Sequence, residues 1–247
     1  MLVEFVHIKE EALVLNMEFE TDEAPVGRFN VSVIKDDEYI GKCLRRGVEW
    51  DGWMRQDLPH IYKPGTDILD IGGNIGWNAL MYSDYGPVHT FEPLYHTVIT
   101  KNVSQNSLRN PVKVHPYALS SSEGTLPIWR PKRNQQGLCN YGGSGLGASR
   151  SDMNESYEDE PVTLVPLRRL DDVYTGNASV IKMDVEGHEL DVIKGALETI
   201  KRTLPAMYIE IYEGRDGPTI IELLHPLGYR MIERPEHNYL FISSSHN

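Results

Sequence analysis

Only two cysteines, Cys43 and Cys139, occur in 247 residues, far apart and without metal-ligand spacing. A disulfide framework or a cysteine-ligated zinc site is therefore excluded as the organising device. Positive charge is also scarce: 24 Lys and Arg stand against 36 Asp and Glu, a formal net charge of −12. That balance leaves no broad cationic face for nucleic acid or an anionic membrane, although Arg130, Lys132 and Arg133 form a local basic cluster. No window reaches the ~18 consecutive apolar residues of a membrane span. The first residues lack the basic region and apolar run of a secretory leader. A cytoplasmic protein is expected, with neither membrane nor nucleic acid as partner.

What the chain does have is a strand–helix rhythm. Residues 1–42 alternate apolar and polar positions in places (13–19 and 29–34) and predict a strand-rich N-terminal extension. Residues 43–63 carry Trp50, Trp53 and Tyr62 and predict a helix. From residue 67 onward the pattern regularises. Strands are predicted at 67–71, 87–91, 112–119, 162–166, 179–184 and 206–212. Helices are predicted at 75–85, 94–108, 189–201 and 219–227. A terminal hairpin is predicted from 229–233 and 239–243. Residues 130–160 are rich in Gly, Ser, Asn and charge, and read as a long loop over a site. Such alternation predicts an α/β fold built on a mostly parallel sheet, residues 43–247 forming the main domain. Ligands of such sheets bind at the carboxyl ends of the strands.

The most informative stretch lies at one of those ends. Residues 67–78, Asp-Ile-Leu-Asp-Ile-Gly-Gly-Asn-Ile-Gly-Trp-Asn, read as a strand, a glycine loop and a helix start. Glycines let the backbone turn sharply and approach a ligand without a Cβ in the way. A dinucleotide fingerprint needs Gly-x-Gly-x-x-Gly with an acid about 20 residues on. Here Gly72, Gly73 and Gly76 lack the Gly-x-Gly spacing, and Asp70 precedes them. Asp-x-Gly-x-x-x-Gly is the usual opening of Rossmann-like S-adenosylmethionine methyltransferases. That cofactor has a sulfonium and an ammonium in place of a pyrophosphate, so an acid beside the loop suits it. Glu92 ends the second strand, where a carboxylate can accept hydrogen bonds from both ribose hydroxyls. An NAD-dependent oxidoreductase using the same cradle is the alternative enzyme; a non-catalytic binding module with this fold is the other.

A second constellation ends the strand at 179–184. Lys182 and Asp184 share one face of it, and Glu186 and His188 follow in the turn. Perturbed acids and bases gather at active sites. Methylating a hydroxyl requires removal of its proton, which a positioned carboxylate, His or Lys can accept. Asp184, Glu186 and His188 are the candidate catalytic residues. Glu210 and Glu213, around the next strand end, are candidates for substrate contact. They also offer oxygen ligands for a divalent cation alongside Asp184, but His/Asp metal spacing is absent and no metal is assigned.

Asp70-Ile-Gly-Gly-Asn-Ile-Gly76, Phe91-Glu-Pro93, Ala118-Leu-Ser120 with Gly124, Leu170-Asp171-Asp172 and Lys182-Met-Asp-Val-Glu-Gly-His-Glu189 together resemble the FkbM family of S-adenosylmethionine-dependent methyltransferases. The resemblance implies a Rossmann-like class I fold: a seven-stranded, mostly parallel sheet with a C-terminal antiparallel hairpin. It implies S-adenosyl-L-methionine as cofactor and a hydroxyl of a sugar, glycan or related small molecule as acceptor. By position, Asp70, Gly72, Gly73, Asn74 and Gly76 would frame the methionine end, Glu92 the ribose, and the backbone near Ala118 the adenine. Many family members have Ala where this chain has Gly73. The loop at 130–160 would face substrate, with Asn140 and Tyr141 hydrogen-bonding and stacking on a sugar.

Overall fold

The computed structural model describes residues 17–147, 156–212 and 216–244. It begins with an antiparallel hairpin, β1 (Thr21–Val26) and β2 (Phe29–Ile34), turned at Gly27. Helices α1 (Ile40–Leu44) and α2 (Met54–Ile61) lead to the alternating part. There β3 (Asp67–Ile71), α3 (Trp77–Tyr82), β4 (Val88–Phe91), α4 (His96–Gln105) and β5 (Val112–His115) build one half of a sheet. The other half is β10 (Ala178–Met183), α6 (Glu189–Lys194), α7 (Leu197–Thr203), β11 (Ala206–Glu210), α8 (Gly217–Leu224), β12 (Tyr229–Glu233) and β13 (Asn238–Ser243). Between the halves lie β6 (Ala118–Leu119), β7 (Gly124–Trp129), β8 (Gly145–Leu146), β9 (Thr163–Arg168) and the single turn α5 (Leu170–Val173).

The large sheet has seven strands in the order β12-β13-β11-β10-β3-β4-β5. Strands β11, β10, β3, β4 and β5 run parallel, whereas β13 is antiparallel to both of its neighbours, so the sheet is mixed. The chain moves outward from β3 to β5, then returns to β10 on the other side. That reversal leaves a crevice above the carboxyl ends of β3 and β10. Both strands are covered on both faces. Leu69 and Ile181 pack on the side of Val192, Ile193 and Ile200. Ile68 and Val180 pack on the side of Leu58, Met81 and Tyr208. The largely apolar sequence of β10, Lys182 apart, is a consequence, since every residue in it is buried.

A second sheet, β6-β9-β7-β8, stands beside the crevice. The strand expected over 112–119 is in fact two. Pro116, with no N–H to donate, ends the pairing with β4, and β6 joins the second sheet instead. The single helix expected over 189–201 is also broken. Gly195 packs so tightly on the preceding loop that a Cβ there would lie 1.9 Å from the Ser120 carbonyl oxygen, and the helix restarts at Leu197. Strand β7 was not anticipated.

The hairpin β1–β2 shares its core with the main domain: Phe29, Val31 and Val33 cluster with Ile75, Trp77, Leu80 and Tyr95. Residues 17–19, within the strand expected at 13–19, are not in a strand; the rest of that stretch lies outside the described residues. Fully buried Asn102 of α4 clamps the hairpin. Its Oδ1 accepts from the Ser32 N–H at 2.6 Å, and its Nδ2 donates to the Ser32 carbonyl at 3.0 Å and the Ile75 carbonyl at 2.8 Å. Among the described residues no helix is long and apolar enough to cross a membrane.

Candidate active site

A cavity of about 350 Å³ occupies the crevice. Its floor is made of strand ends: Ile71 and Gly72 after β3, Phe91 and Glu92 after β4, Asp184 to Glu186 after β10, and Glu210 with Tyr212 at β11. The second sheet gives one wall, with Ala118, Leu119, Ile128 and Leu146. Asn140, Tyr141, Gly142 and Ser144 close over it, and Tyr39, Ile40 and Trp50 form the opposite lip.

The glycine loop is built for close approach. Gly72 has φ +83, and a Cβ there would fall 1.8 Å from the Asp184 carbonyl oxygen. The β3 loop and the β10 turn thus touch backbone to backbone, which only glycine permits. Gly76 has φ +84 and abuts Ile99; Gly73 leaves a Cβ only 2.1 Å from Thr90 Oγ1. Alanine at position 73 therefore requires Thr90 to give way. Asn74, in the left-handed region at φ +48, turns its N–H to Glu92 Oε2 at 3.0 Å.

Glu92 is 6% exposed and receives three backbone N–H groups, with Leu94 and Tyr95 donating to Oε1 at 2.7 and 3.1 Å. These donors favour the carboxylate, but burial outweighs them and pushes its pKa up to about 7. The side chain lines the cavity. Asp70 lies deeper, fully buried and outside the cavity wall. Thr90 donates to its Oδ2 at 2.9 Å, and burial pushes its pKa up to about 6 despite the nearby Lys182 charge.

Lys182, 2% exposed, donates to Asp184 Oδ2 at 2.6 Å. Burial works against its charge, yet Asp184, Asp51 and Asp70 surround it and hold it protonated. The same pair fixes Asp184 as a carboxylate: burial alone would raise its pKa, but the Lys182 ammonium and a hydrogen bond from Glu210 keep it below the ordinary range. Glu210 moves the other way. Burial, then the charges of Asp184 and Glu186, push it up to about 11, and it carries the proton between the two acids. Carboxylate oxygens of Asp184, Glu186 and Glu210 lie within 4.8 Å of one another, which is also the spacing of a cation site. Lys182 and the shared proton already offset two of the three negative charges.

His188 stands apart. It precedes α6, 8% exposed, with Nε2 2.9 Å from Ser120 Oγ and Nδ1 3.9 Å from Asp191. Burial lowers its pKa, and it does not line the cavity. Left-handed Glu186 (φ +54) and Gly187 (φ +90) turn the chain away before it. Glu189 Oε1 ties that turn by accepting from the Val185 and Gly187 N–H groups at 3.2 and 3.1 Å.

Of the expected substrate contacts, Asn140, Tyr141 and Glu210 line the cavity, and Glu213 lies outside the described residues. The 139–144 segment is firmly attached. Cys139 pairs with the 36–38 bend through two backbone hydrogen bonds, Tyr141 OH donates to Asp36 at 3.0 Å, and Ser144 Oγ meets Tyr95 OH at 2.6 Å. Arg133 forms an ion pair with the same Asp36. Tyr39, Trp50, Tyr95 and Tyr212, which also form the walls, were not among the expected site residues. Trp50 lay in the aromatic stretch at 43–63, which was the available signal.

The cradle and the fold define an α/β methyltransferase-like protein. Residues 70–231 match the model of the methyltransferase FkbM domain, and the chain belongs to that family. Hexuronic acid methyltransferase AglP of Haloferax volcanii is 30% identical over 161 residues, 64% of this chain and 61% of AglP. The chain thus spans less than two thirds of that relative. Methyltransferase sdnD of Sordaria araneosa is 28% identical over 190 residues, 66% of this chain and 73% of sdnD. Among solved structures, methyltransferase FkbM of Methylobacillus flagellatus overlays with a TM-score of 0.48 at 18% identity, covering 71% of this chain and 43% of that one. Membership of the family sets aside the NAD-dependent oxidoreductase alternative.

Proposed function

We propose that this protein is an S-adenosylmethionine-dependent O-methyltransferase acting on a hydroxyl of a sugar or glycan. The observation that carries the reading is one cavity bordered by both constellations: Glu92 beside the Gly72–Asn74 loop, and Asp184 with Glu186 and Glu210 across from it. The residues present fit the cofactor, because Gly72 and Asn74 line the cavity beside Glu92, whose buried carboxylate, held by three backbone N–H groups, is a fixed acceptor for a ribose diol. S-adenosylmethionine supplies an activated methyl group when bound. Gly72 and Asn74 then border its methionine end, Glu92 holds the ribose, and Ala118 and Leu119 flank the base.

Asp184 is the proton acceptor for the acceptor hydroxyl. A hydroxyl becomes strongly acidic as its oxygen gains a methyl group, so a carboxylate of low pKa suffices. Protonated Glu210 positions that carboxylate and Glu186 borders the same space. Asn140, Tyr141 and Trp50 offer the hydrogen-bonding and stacking surface that a sugar requires. AglP, a hexuronic acid methyltransferase by name, is in keeping with such an acceptor.

Isothermal titration with S-adenosylhomocysteine tests the cofactor, and mass spectrometry of glycosides incubated with S-adenosylmethionine tests the transfer. Binding together with a mass gain of one methyl on oxygen is expected. Absence of binding removes the cofactor assignment; binding without any transfer favours the non-catalytic binding module.

A further inference from the structure

Beside the cavity mouth runs a second, shallower groove of about 360 Å³. Tyr39 and Trp50 border both spaces, and Trp50 also borders the small cleft that holds Lys182 and Asp184. The outer side of the groove is basic. Lys42 of α1 and Arg46 just beyond it, four residues apart and so on one side of the turn, both line it and are exposed. Neither has an ion-pair partner among the described residues. Their neighbours do: Arg45 turns inward to the Ile34 carbonyl and Asp22, Arg55 pairs with Glu49, and Arg28 with Asp84. One carboxylate, Glu38, shares the groove with the two cations.

We propose that this groove binds an acidic sugar of the acceptor glycan, with Lys42 and Arg46 holding its anionic oxygens and Tyr39 and Trp50 stacking on its ring. Aromatic faces suit the C–H surface of a pyranose, and two unpaired cations in a chain of net charge −12 suit an anion that the rest of the surface repels. Trp50 joins the groove to Asp184, so a glycan lying across it presents a hydroxyl to the acid while its charged group stays outside. The chemistry shared by a uronate carboxylate and a sugar sulfate is what the cations recognise. This inference rests on the methyltransferase reading above and names the acceptor class for it.

The test is a binding panel of neutral glucose oligosaccharides with their C6-oxidised (uronate) and 6-O-sulfated counterparts, probed with the whole chain in the presence of S-adenosylhomocysteine. The wild type is expected to retain acidic members over their neutral counterparts, and less so as salt is raised. Lys42→Glu with Arg46→Glu is expected to weaken that retention about tenfold or more while S-adenosylhomocysteine affinity and melting temperature stay unchanged. Retention of uronates alone assigns a carboxylate; retention of both acidic sets assigns any oxyanion. Equal retention of neutral and acidic members, no retention of acidic members, or an unaffected double variant overturns the proposal. Failure of the wild type to bind S-adenosylhomocysteine overturns the methyltransferase reading instead, and the panel still decides the groove.

Discussion

Lys182 Nζ stands 2.6 Å from Asp184 Oδ2, yet only Asp184 borders the cavity. The ammonium acts from behind, among Asp51, Asp70 and Asp184. Replacing Lys182 with Met leaves those acids with no cation among them. A loss of about 3–5 kcal/mol is expected for breaking a buried pair in this way. The loss depends on pH. Without Lys182 the folded-state pKa values of Asp51 and Asp70 rise further above their unfolded values and Asp184 loses the charge that held it down, so stability is retained below the ordinary value of 3.8 and is lost as pH climbs through and beyond about 6, the value Asp70 already reaches with Lys182 in place. Urea unfolding of Lys182→Met at pH 4 and pH 8 measures it; a pH-independent difference contradicts the electrostatic account.

Glu92 yields a prediction about the cofactor. The ionised form is the better acceptor for a diol, so S-adenosylhomocysteine affinity should fall as pH drops below about 7, by up to tenfold per pH unit. Glu92→Gln removes that dependence and weakens binding about tenfold to a hundredfold. Its amide also presents N–H groups to backbone donors, so some stability is lost with it. Calorimetric titrations at pH 6 and pH 8 on both proteins provide the check.

Two glycines with the same φ, +83, separate strain from proximity: Gly72 meets the Asp184 carbonyl and Gly65 meets nothing within 4 Å. Gly65→Ala should cost only the backbone term, about 1–3 kcal/mol. Gly72→Ala should cost more and abolish S-adenosylhomocysteine binding, because the β3 loop must move off the β10 turn. Equal costs in urea unfolding, with binding intact in both, would show the contact to be unimportant.

The chemistry divides Asp184 from His188. Asp184→Asn is expected to lower kcat by about 10²–10⁴ while S-adenosylhomocysteine still binds. His188→Ala, whose ring points to Ser120, is expected to change kcat by less than about tenfold, well short of a lost base. Single-turnover assays on a glycoside acceptor with its hydroxyl free decide; a collapse of turnover in His188→Ala would return it to the mechanism.

The parts of this site that the sequence announces are those fixed by strand ends. Gly72, Glu92 and Asp184 each follow a short strand of the parallel sheet, and parallel pairing brings the ends of such strands together. His188 shows the limit: it lies two residues beyond Glu186, and the left-handed backbone at Glu186 and Gly187 turns it toward Ser120, which no periodicity encodes. The aromatic lips escaped for a different reason. Tyr39, Trp50 and Tyr212 come from separate segments, and only the tertiary fold brings them to one opening. The second sheet is hard to read because β6 and β8 are two residues long, and because Pro127 and Pro166, residues that argue against a strand, sit inside β7 and β9.

Asn102 holds Ser32 of the hairpin with one hand and the carbonyl of Ile75, inside the glycine loop, with the other. Hairpin docking and loop geometry therefore draw on the same side chain and are thermodynamically linked. Whatever free energy the hairpin contributes to ordering the loop, a ligand on that loop must return to the hairpin in equal measure. Hydrogen exchange at the amides of β2 is therefore expected to respond to a ligand on that loop, although β2 lies far along the chain from it.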